Sequence, residues 1–341
     1  MSARLVDIAA ETGISPAAVS YVINGRTDKV SKAMRDKVLN AAARLGYRPN
    51  SSARAVRMGR HGALALIMSP GPHRSFLSQE MMLGITRSLA HNNLRLLVDY
   101  ISDEQFTSEE TLPRLLLERA CDGMLLNYHS HIPPMLERLT EQFHLPTVWI
   151  NTKNEFNSVY PDDFGAARAA TEQLVSEGHR RIIYCDSAFN NATSTGDIHF
   201  SKLARRAGYE AAMEAAGFAC EFVLDNPSQN FSRREIVSAY AEQIRAVFRR
   251  RRPAPPTAVV AYGSWELELL SRIPFELGLK VETLTFGLNA SSLNDHFLRG
   301  LIVPMEEVGE RAVAMLLRRI ADPELRIPSE SVPFRWADPA L

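Results

Sequence analysis

The chain has 341 residues, 45% of them hydrophobic and 23% charged, the composition of an ordinary globular protein long enough for a small domain plus a larger body. No apolar run approaches membrane-spanning length, and Arg4, Asp7 and Glu11 interrupt the first apolar residues, so no membrane partner and no signal peptide are expected and the protein reads as cytoplasmic. The 39 Lys/Arg and 39 Asp/Glu cancel overall, yet residues 1–60 hold 11 basic against 4 acidic side chains, and the rest carries the opposite excess. A basic head of this kind suits neutralisation of DNA phosphates.

Leu5, Ile8 and Ala9 recur at helical spacing, and Gly13 supplies the permissive backbone of a sharp turn, so a first helix stops near Thr12. Ser15 followed by Pro16 reads as an N-cap and first helical residue. In the second helix Val19, Val22 and Ile23 face a core, leaving Pro16, Ala17, Ser20, Tyr21 and Asn24 outward as a candidate DNA-reading face. Helix, tight turn, helix is also the pattern of an ordinary αα-hairpin, and the charge of the head favours the DNA reading. Ser31 opens a third helix, with Met34, Val38, Ala42 and Leu45 inward before Gly46 ends it. The segment Ser51 to Arg57 has helical character but is too short to hold a helix alone in water, so it is expected to order on a partner.

Downstream, apolar runs at 63–68, 95–100, 124–127, 147–150, 181–185, 258–262 and 283–286 read as strands. Helical patterns at 78–91, 164–177, 233–252 and 306–321 alternate with them. Repeated βα units predict parallel sheets covered on both faces. Cys121, Cys185 and Cys220 are widely spaced and are expected as buried free thiols, with no metal site and no cofactor called for. No P-loop, Gly-x-Gly-x-x-Gly after a strand, His-Glu-x-x-His or Gly-x-Ser-x-Gly is present, so an enzyme is not expected. Asp162 and Asp163, adjacent before a helix, read as caps at its positive end rather than as catalytic acids. The Arg249–Arg252 run reads as a solvated helix terminus.

The runs DIAAETGIS, VSYVING and VSKAMRDKVLNAAARLGYRPNSSARAVR resemble the head and hinge of the LacI/GalR family of bacterial transcriptional repressors. CDGMLL at 121–126, DFGAA at 163–167, GHRRI at 178–182, RRAGY at 205–209 and VGERAV at 308–313 resemble later landmarks of that family, in the family's order. The resemblance implies an all-α helix-turn-helix head at 1–49, a hinge helix and linker at 50–61, and an α/β body at 62–341. It further implies two Rossmann-like subdomains of the periplasmic-binding-protein-like type I fold, here about 62–161 plus 291–322 and about 162–290 plus 323–341. Crossing strands would join the subdomains, with a ligand cleft between them. The implied function is a DNA-binding regulator, a repressor working as a homodimer on a near-palindromic double-stranded operator and gated by a small sugar or sugar derivative.

Carried over residue by residue, base reading falls on Pro16, Ala17 and Tyr21, where many relatives have a longer polar residue and Arg. Tyr21 cannot make the bidentate guanine contact of Arg. Ser15, Ser20, Asn24, Lys29, Ser31 and Asn50 map to phosphate and positioning contacts, and Leu5, Tyr47 and Ala53 join the DNA-facing set. Val56 takes the hinge wedge position. Ser78, Asn127, Arg205, Phe231, Tyr262 and Trp265 map to the effector cleft. Tyr262–Gly263 stands where many sugar-responsive relatives have Asn-Asp, so an effector other than a simple hexose, a protein partner or no effector at all are the alternatives. A wedge between base steps kinks the duplex. Val56→Ala is therefore expected to weaken DNA binding strongly while leaving thermal unfolding unchanged; equal affinity in a titration at fixed salt overturns the wedge.

Overall fold

A computed structural model describes residues 3–26, 30–49, 55, 59–71, 74–106, 118, 120–129, 132–142, 144–187, 198–224, 233–250, 254–287 and 299–337. The chain divides into two units, Met1–Gly62 and Ala63–Leu341.

In the first unit, α1 (Leu5–Thr12) ends at Gly13, whose φ of 68° lets its amide return to Ala9 O at 2.9 Å. The Ser15 hydroxyl accepts from Ala18 N at 3.3 Å and opens α2 (Pro16–Ile23); Ser31 does the same for Met34 N at 3.2 Å and opens α3 (Lys32–Arg44). Ile8, Ala9, Val19, Val22, Val38, Ala41 and Ala42 form the core. Arg44 reaches Glu11 at 2.5 Å and ties α3 to α1. Leu45, expected on the inner face of α3, is exposed. Gly46 turns the backbone at φ 62°, and Tyr47 N bonds Ala42 O at 2.9 Å, so the Tyr47 ring packs on the core where Leu45 does not.

The second unit contains β1 (Ala63–Met68), α4 (Gln79–His91), β2 (Arg95–Tyr100), a 3-10 turn at Asp103–Phe106, β3 (Gly123–Asn127), α5 (Pro134–Gln142), β4 (Thr147–Ile150) and β5 (Ser158–Pro161). There follow α6 (Asp163–Ser176), β6 (Ile182–Asp186), α7 (Phe200–Ala215), β7 (Glu221–Leu224), α8 (Arg233–Phe248), β8 (Ala258–Ala261), α9 (Leu267–Glu276) and β9 (Glu282–Phe286). The last elements are β10 (Arg299–Ile302), α10 (Met305–Ala321), β11 (Glu330–Val332) and β12 (Arg335–Trp336).

Two six-stranded sheets result, ordered β2-β1-β3-β4-β5-β11 and β7-β6-β8-β9-β10-β12. Among the described residues all pairings of these strands are parallel except that of β12, which runs antiparallel to β10. The alternation of a strand covered on both faces is visible in β1. Leu64, Leu66 and Met68 enter the core under α4 and α10, while Ala65 and Ile67 enter the one that holds Leu136 and Leu139 of α5. In the second sheet Ile182 and Tyr184 pack toward α6 and α7, and Ile183 and Cys185 toward α8 and α9.

The chain crosses between lobes three times: after Pro161, between Ile302 and Met305, and between Val332 and Arg335. Asp162 N bonds Val332 O at 2.8 Å, so the first and last crossings run side by side. This corrects the subdomain limits expected at 290/291 and 322/323. β10 hydrogen-bonds to β9 and so belongs to the second lobe, and β11 bonds to β5 in the first. The expected helix 233–252 also ends earlier, at Phe248. Among the described residues no helix is long and apolar enough to cross a membrane.

Glycine sets the approach of α4 to α10. A Cβ on Gly84 would collide with Glu306 O, and one on Gly309 would lie 2.6 Å from Met81 O. The α6–α7 crossing uses Gly208 against Phe164 O in the same way. Gly84→Ala must push α10 outward and is expected to cost about 2–3 kcal/mol, read as a lower urea midpoint at unchanged m-value. An unchanged midpoint overturns this.

Candidate functional site

Two surfaces carry the chemistry. On the head, α2 exposes Pro16, Ala17, Tyr21 and Asn24, because Val19 and Val22 hold its other face in the core. Asn24 Nδ2 donates to Ser20 O at 2.6 Å and lies 3.1 Å from Ser20 Oγ, which orients both side chains along one edge of the helix. Ser15 and Ser31 serve as caps, their oxygens accepting from helix amides, and Leu5 and Tyr47 lie against the core. The exposed face therefore offers a phenol, an amide and small apolar surface rather than a guanidinium. Lys29, Asn50, Ala53 and Val56 lie outside the described residues.

In the body, both sheets repeat the order second-first-third-fourth-fifth, so each has a reversal of strand order beside its first strand. Ligands of open α/β sheets bind at such reversals, outside the carboxyl ends of the strands. In the first lobe that place holds Ser69, Ser75, Asn127 and His129; in the second it holds Asp186, Ser187 and Tyr262.

Asn127, fully buried at the end of β3, donates from Nδ2 to Phe76 O at 2.9 Å. Its Oδ1 is thereby turned as an acceptor to His129 Nε2, 2.9 Å away, which favours the Nε2–H form of that ring over the longer contact with the Asn151 Nδ2 donor at 3.2 Å. Ser75 Oγ donates to Asn127 O at 2.5 Å and accepts from Ser69 N at 2.8 Å. Ser78 is the N-cap of α4, accepting from Met81 N at 3.1 Å.

In the second lobe, His199 caps α7. Its Nε2 donates to Asn151 O of the first lobe at 3.0 Å, and its Nδ1 accepts from Ser201 Oγ at 2.7 Å. Ser201 Oγ then accepts from Tyr262 OH at 2.7 Å. The His129 and His199 rings are 4.8 Å apart between centroids, and Phe200 meets Tyr160 of the first lobe edge-on at 5.5 Å.

Beneath this row Arg205, 7% exposed, donates from Nε to Asp163 Oδ1 at 2.6 Å and from Nη1 to Tyr262 O at 2.6 Å. Its guanidinium stacks 4.5 Å from the Tyr262 ring, 4.8 Å from Phe286 and 5.5 Å from Phe334. Burial pushes the Asp163 carboxyl above the ordinary carboxylate range, and Arg205 pulls against it. Burial works against charge on Arg205, and Asp163 together with the Tyr262 and Tyr184 phenols more than offsets it. Asp162 caps α6, accepting from Gly165 N at 3.0 Å. Glu266, 1% exposed, accepts from Ser187 N, and burial pushes its carboxyl up to about 8.

Asn127, Arg205 and Tyr262, separate in the sequence, thus belong to one cross-lobe row, whereas Ser78 serves as the cap of α4. Phe231 and the side chain of Trp265 lie outside the described residues. His129, Asn151, Asp163, His199 and Ser201 are partners that the sequence reading missed. The capping position of His199 before the helical run was a local signal; the pairing of the two histidines, 70 residues apart, had none.

Residues 4–50 match the family model of bacterial regulatory proteins, lacI family, and residues 171–338 match a periplasmic binding protein-like domain. The HTH-type transcriptional repressor PurR of Vibrio campbellii is 27% identical over 94% of this chain and 93% of its own length. The HTH-type transcriptional regulator RafR of Escherichia coli is 27% identical over 74% of this chain and 70% of its own. A solved lac repressor dimer bound to operator and the anti-inducer ONPF shares the fold, with a TM-score of 0.72 at 17% identity, covering 99% of this chain and 98% of that one. A transcriptional regulator CelR–cellobiose complex superposes with a TM-score of 0.58 at 21% identity, covering 98% of each.

Arg205→Leu strands a buried carboxylate at Asp163. The loss relative to wild type is expected to be about 3 kcal/mol at pH 8 and smaller at pH 5. An unpaired buried carboxyl recovers by binding a proton, and this becomes harder as pH rises. Urea unfolding of both proteins at the two pH values measures this; a loss independent of pH overturns it.

Proposed function

We propose that this chain, which belongs to the LacI family of bacterial regulatory proteins, is a transcriptional repressor that binds a near-palindromic DNA operator as a homodimer in the bacterial cytoplasm, without enzymatic activity. The observation that carries the reading is the exposed α2 face of Pro16, Ala17, Tyr21 and Asn24 on a head with an excess of basic residues. A helix so presented enters the major groove, while the surrounding cations neutralise phosphates. Dimerisation is supported by the edge strand β2, where Leu97, Val98 and Tyr100 are 36%, 45% and 57% exposed, next to exposed Leu83. An apolar edge of this kind is a liability in a monomer.

The body is read as the receptor of a small molecule, a sugar or sugar derivative, at the cleft between the lobes. The CelR–cellobiose complex supports this by fold, and the polar row at the two strand reversals supports it by chemistry. A ligand acts by preferring one arrangement of the lobes over the other, and only that difference in affinity shifts DNA binding. One observation favours a second reading, a body that answers to a protein partner or to nothing. Asn127, Arg205 and Tyr262 already bond to other groups of the chain, so a sugar hydroxyl must displace a hydrogen bond to reach them.

Selection of bound duplexes from a random pool tests the DNA reading, and a thermal-shift screen of sugars, sugar acids and phosphates tests the receptor. Failure to enrich any sequence overturns the first, and no shift with any compound favours the protein-partner reading. In the selected site, Tyr21→Arg is expected to raise the preference for guanine at the contacted base roughly tenfold, because arginine makes the bidentate contact that a phenol cannot. An unchanged consensus means that Tyr21 does not face a base.

A further inference from the structure

The hydrogen-bond row of the cleft does more than line it, because part of it joins the two lobes directly. We propose that His129 of the first lobe and His199 of the second form a proton-sensitive latch that holds the lobes together while both rings are neutral and releases them when the rings take up protons.

The contacts suit neutral rings. His199 Nε2–H is given to Asn151 O at 3.0 Å, so the ring holds the first lobe as a donor. Its Nδ1 must stay bare, since it accepts from Ser201 Oγ at 2.7 Å and faces Ser201 N at 3.4 Å as the cap of α7. A proton on Nδ1 would face the Ser201 amide, force Ser201 Oγ to turn its hydrogen toward Tyr262 OH, and add positive charge at the positive end of a 16-residue helix. His129 is bound by Asn127 Oδ1 at 2.9 Å and lies 3.2 Å from Asn151 Nδ2. Its ring stands 4.8 Å from that of His199, so charging both places two cations in contact.

Among the described residues the groups around the pair offset its charging only through the Asn151 carbonyl, which favours charge on His199. From the first lobe they are the amides of Asn127 and Asn151, the Tyr128 and Tyr160 rings, and Arg74, whose carbonyl accepts from His129 N at 2.7 Å. From the second they are Phe200, Ser201, Tyr262 and the cations Lys202 and Arg205, both of which oppose charge on His199. Asp163 is held by Arg205, and Asp162 caps α6. Desolvation, with His199 adding to it, holds His129 down at about 3; desolvation holds His199 down at about 4, with the Asn151 carbonyl pulling the other way and Arg205 and Lys202 adding to the depression.

The direction follows. Above the ordinary histidine value of about 6.5 neither state binds protons and the latch has its full strength. As pH falls below it, separated rings take protons that latched rings refuse, and the latch weakens until the depressed values are reached. Between pH 7.5 and 5.5 each ring shifts the equilibrium toward separation roughly tenfold, and the two together roughly 100-fold.

This inference does not rest on the regulatory reading, since it is tested without DNA or ligand. Amide exchange of the full chain is measured at pH 7.5 and 5.5 and corrected for intrinsic rates. Protection at 198–204 is expected to fall roughly 100-fold, against no comparable fall in the core strands 182–186 and 258–261. In His129→Gln the fall at 198–204 shrinks to roughly tenfold, although that substitution lies in the other lobe, and in the double variant with His199→Gln it vanishes. If protection does not fall, falls equally in the core strands, or falls in His129→Gln as in wild type, His199 is only a helix cap and the latch is overturned.

Discussion

The buried pair of Arg205 and Asp163 is the contact on which the body's arrangement depends. Asp163 is the first residue of α6, immediately after the chain has crossed from one lobe to the other. Arg205 comes from the second turn of α7, fixes the carbonyl of Tyr262 beyond β8, and fills the space between Phe286 at the end of β9 and Phe334 in the last crossing. One guanidinium thereby ties two crossings, two strand ends and two helices. A planar fork with five donors can do this; an ammonium on a flexible stem cannot satisfy the carboxylate and the carbonyl while stacking on three rings. The position is also costly to lose, because its partner carboxylate has almost no access to water.

That arrangement changes what Arg205 means for recognition. Read from the sequence, it is a free cation waiting for a ligand. In the fold its Nε and Nη1 are engaged and its faces are covered, so its influence on the cleft passes through Tyr262, Ser201 and His199. The chain of donors from Tyr262 OH to Ser201 Oγ to His199 Nδ1, and from His199 Nε2 to Asn151 O, takes this direction in a neutral ring because Asn151 O can only accept, which leaves Nδ1 bare to accept from Ser201 Oγ. A buried polar network with every member satisfied favours one arrangement over its near neighbours. Here it spans the division between the lobes.

Local signals in the sequence carried far. Ser15, Gly13, Ser31 and Gly46 mark helix ends by mechanisms that act within four residues, and all four do so in the structure. The buried run at 63–68 is legible because both of its faces are covered, whereas Leu97, Val98 and Tyr100 look equally apolar and lie exposed at a sheet edge. Burial depends on neighbours that a strand's own residues do not name. The short strands β10, β11 and β12 escape detection for a related reason: four, three and two residues carry too little periodicity, and pairing alone defines them. The site divides in the same way. Asn127, Arg205 and Tyr262 were reachable through family resemblance, while His129, His199 and Asn151 acquire their role only from a cross-lobe contact.

The three crossings also bear on the order in which the protein can mature on the ribosome. Strands β1 to β5 emerge as a contiguous block, but α10, which covers one face of their sheet with α4, and β11, which closes its edge, follow β6 to β10 of the second lobe in the chain. At a synthesis rate of about 5–20 residues per second, that face waits on the order of ten seconds for its cover. The first lobe is thus the first to begin and among the last to finish. During that interval Leu125 and Val148, which share a core with α10, lack part of their cover.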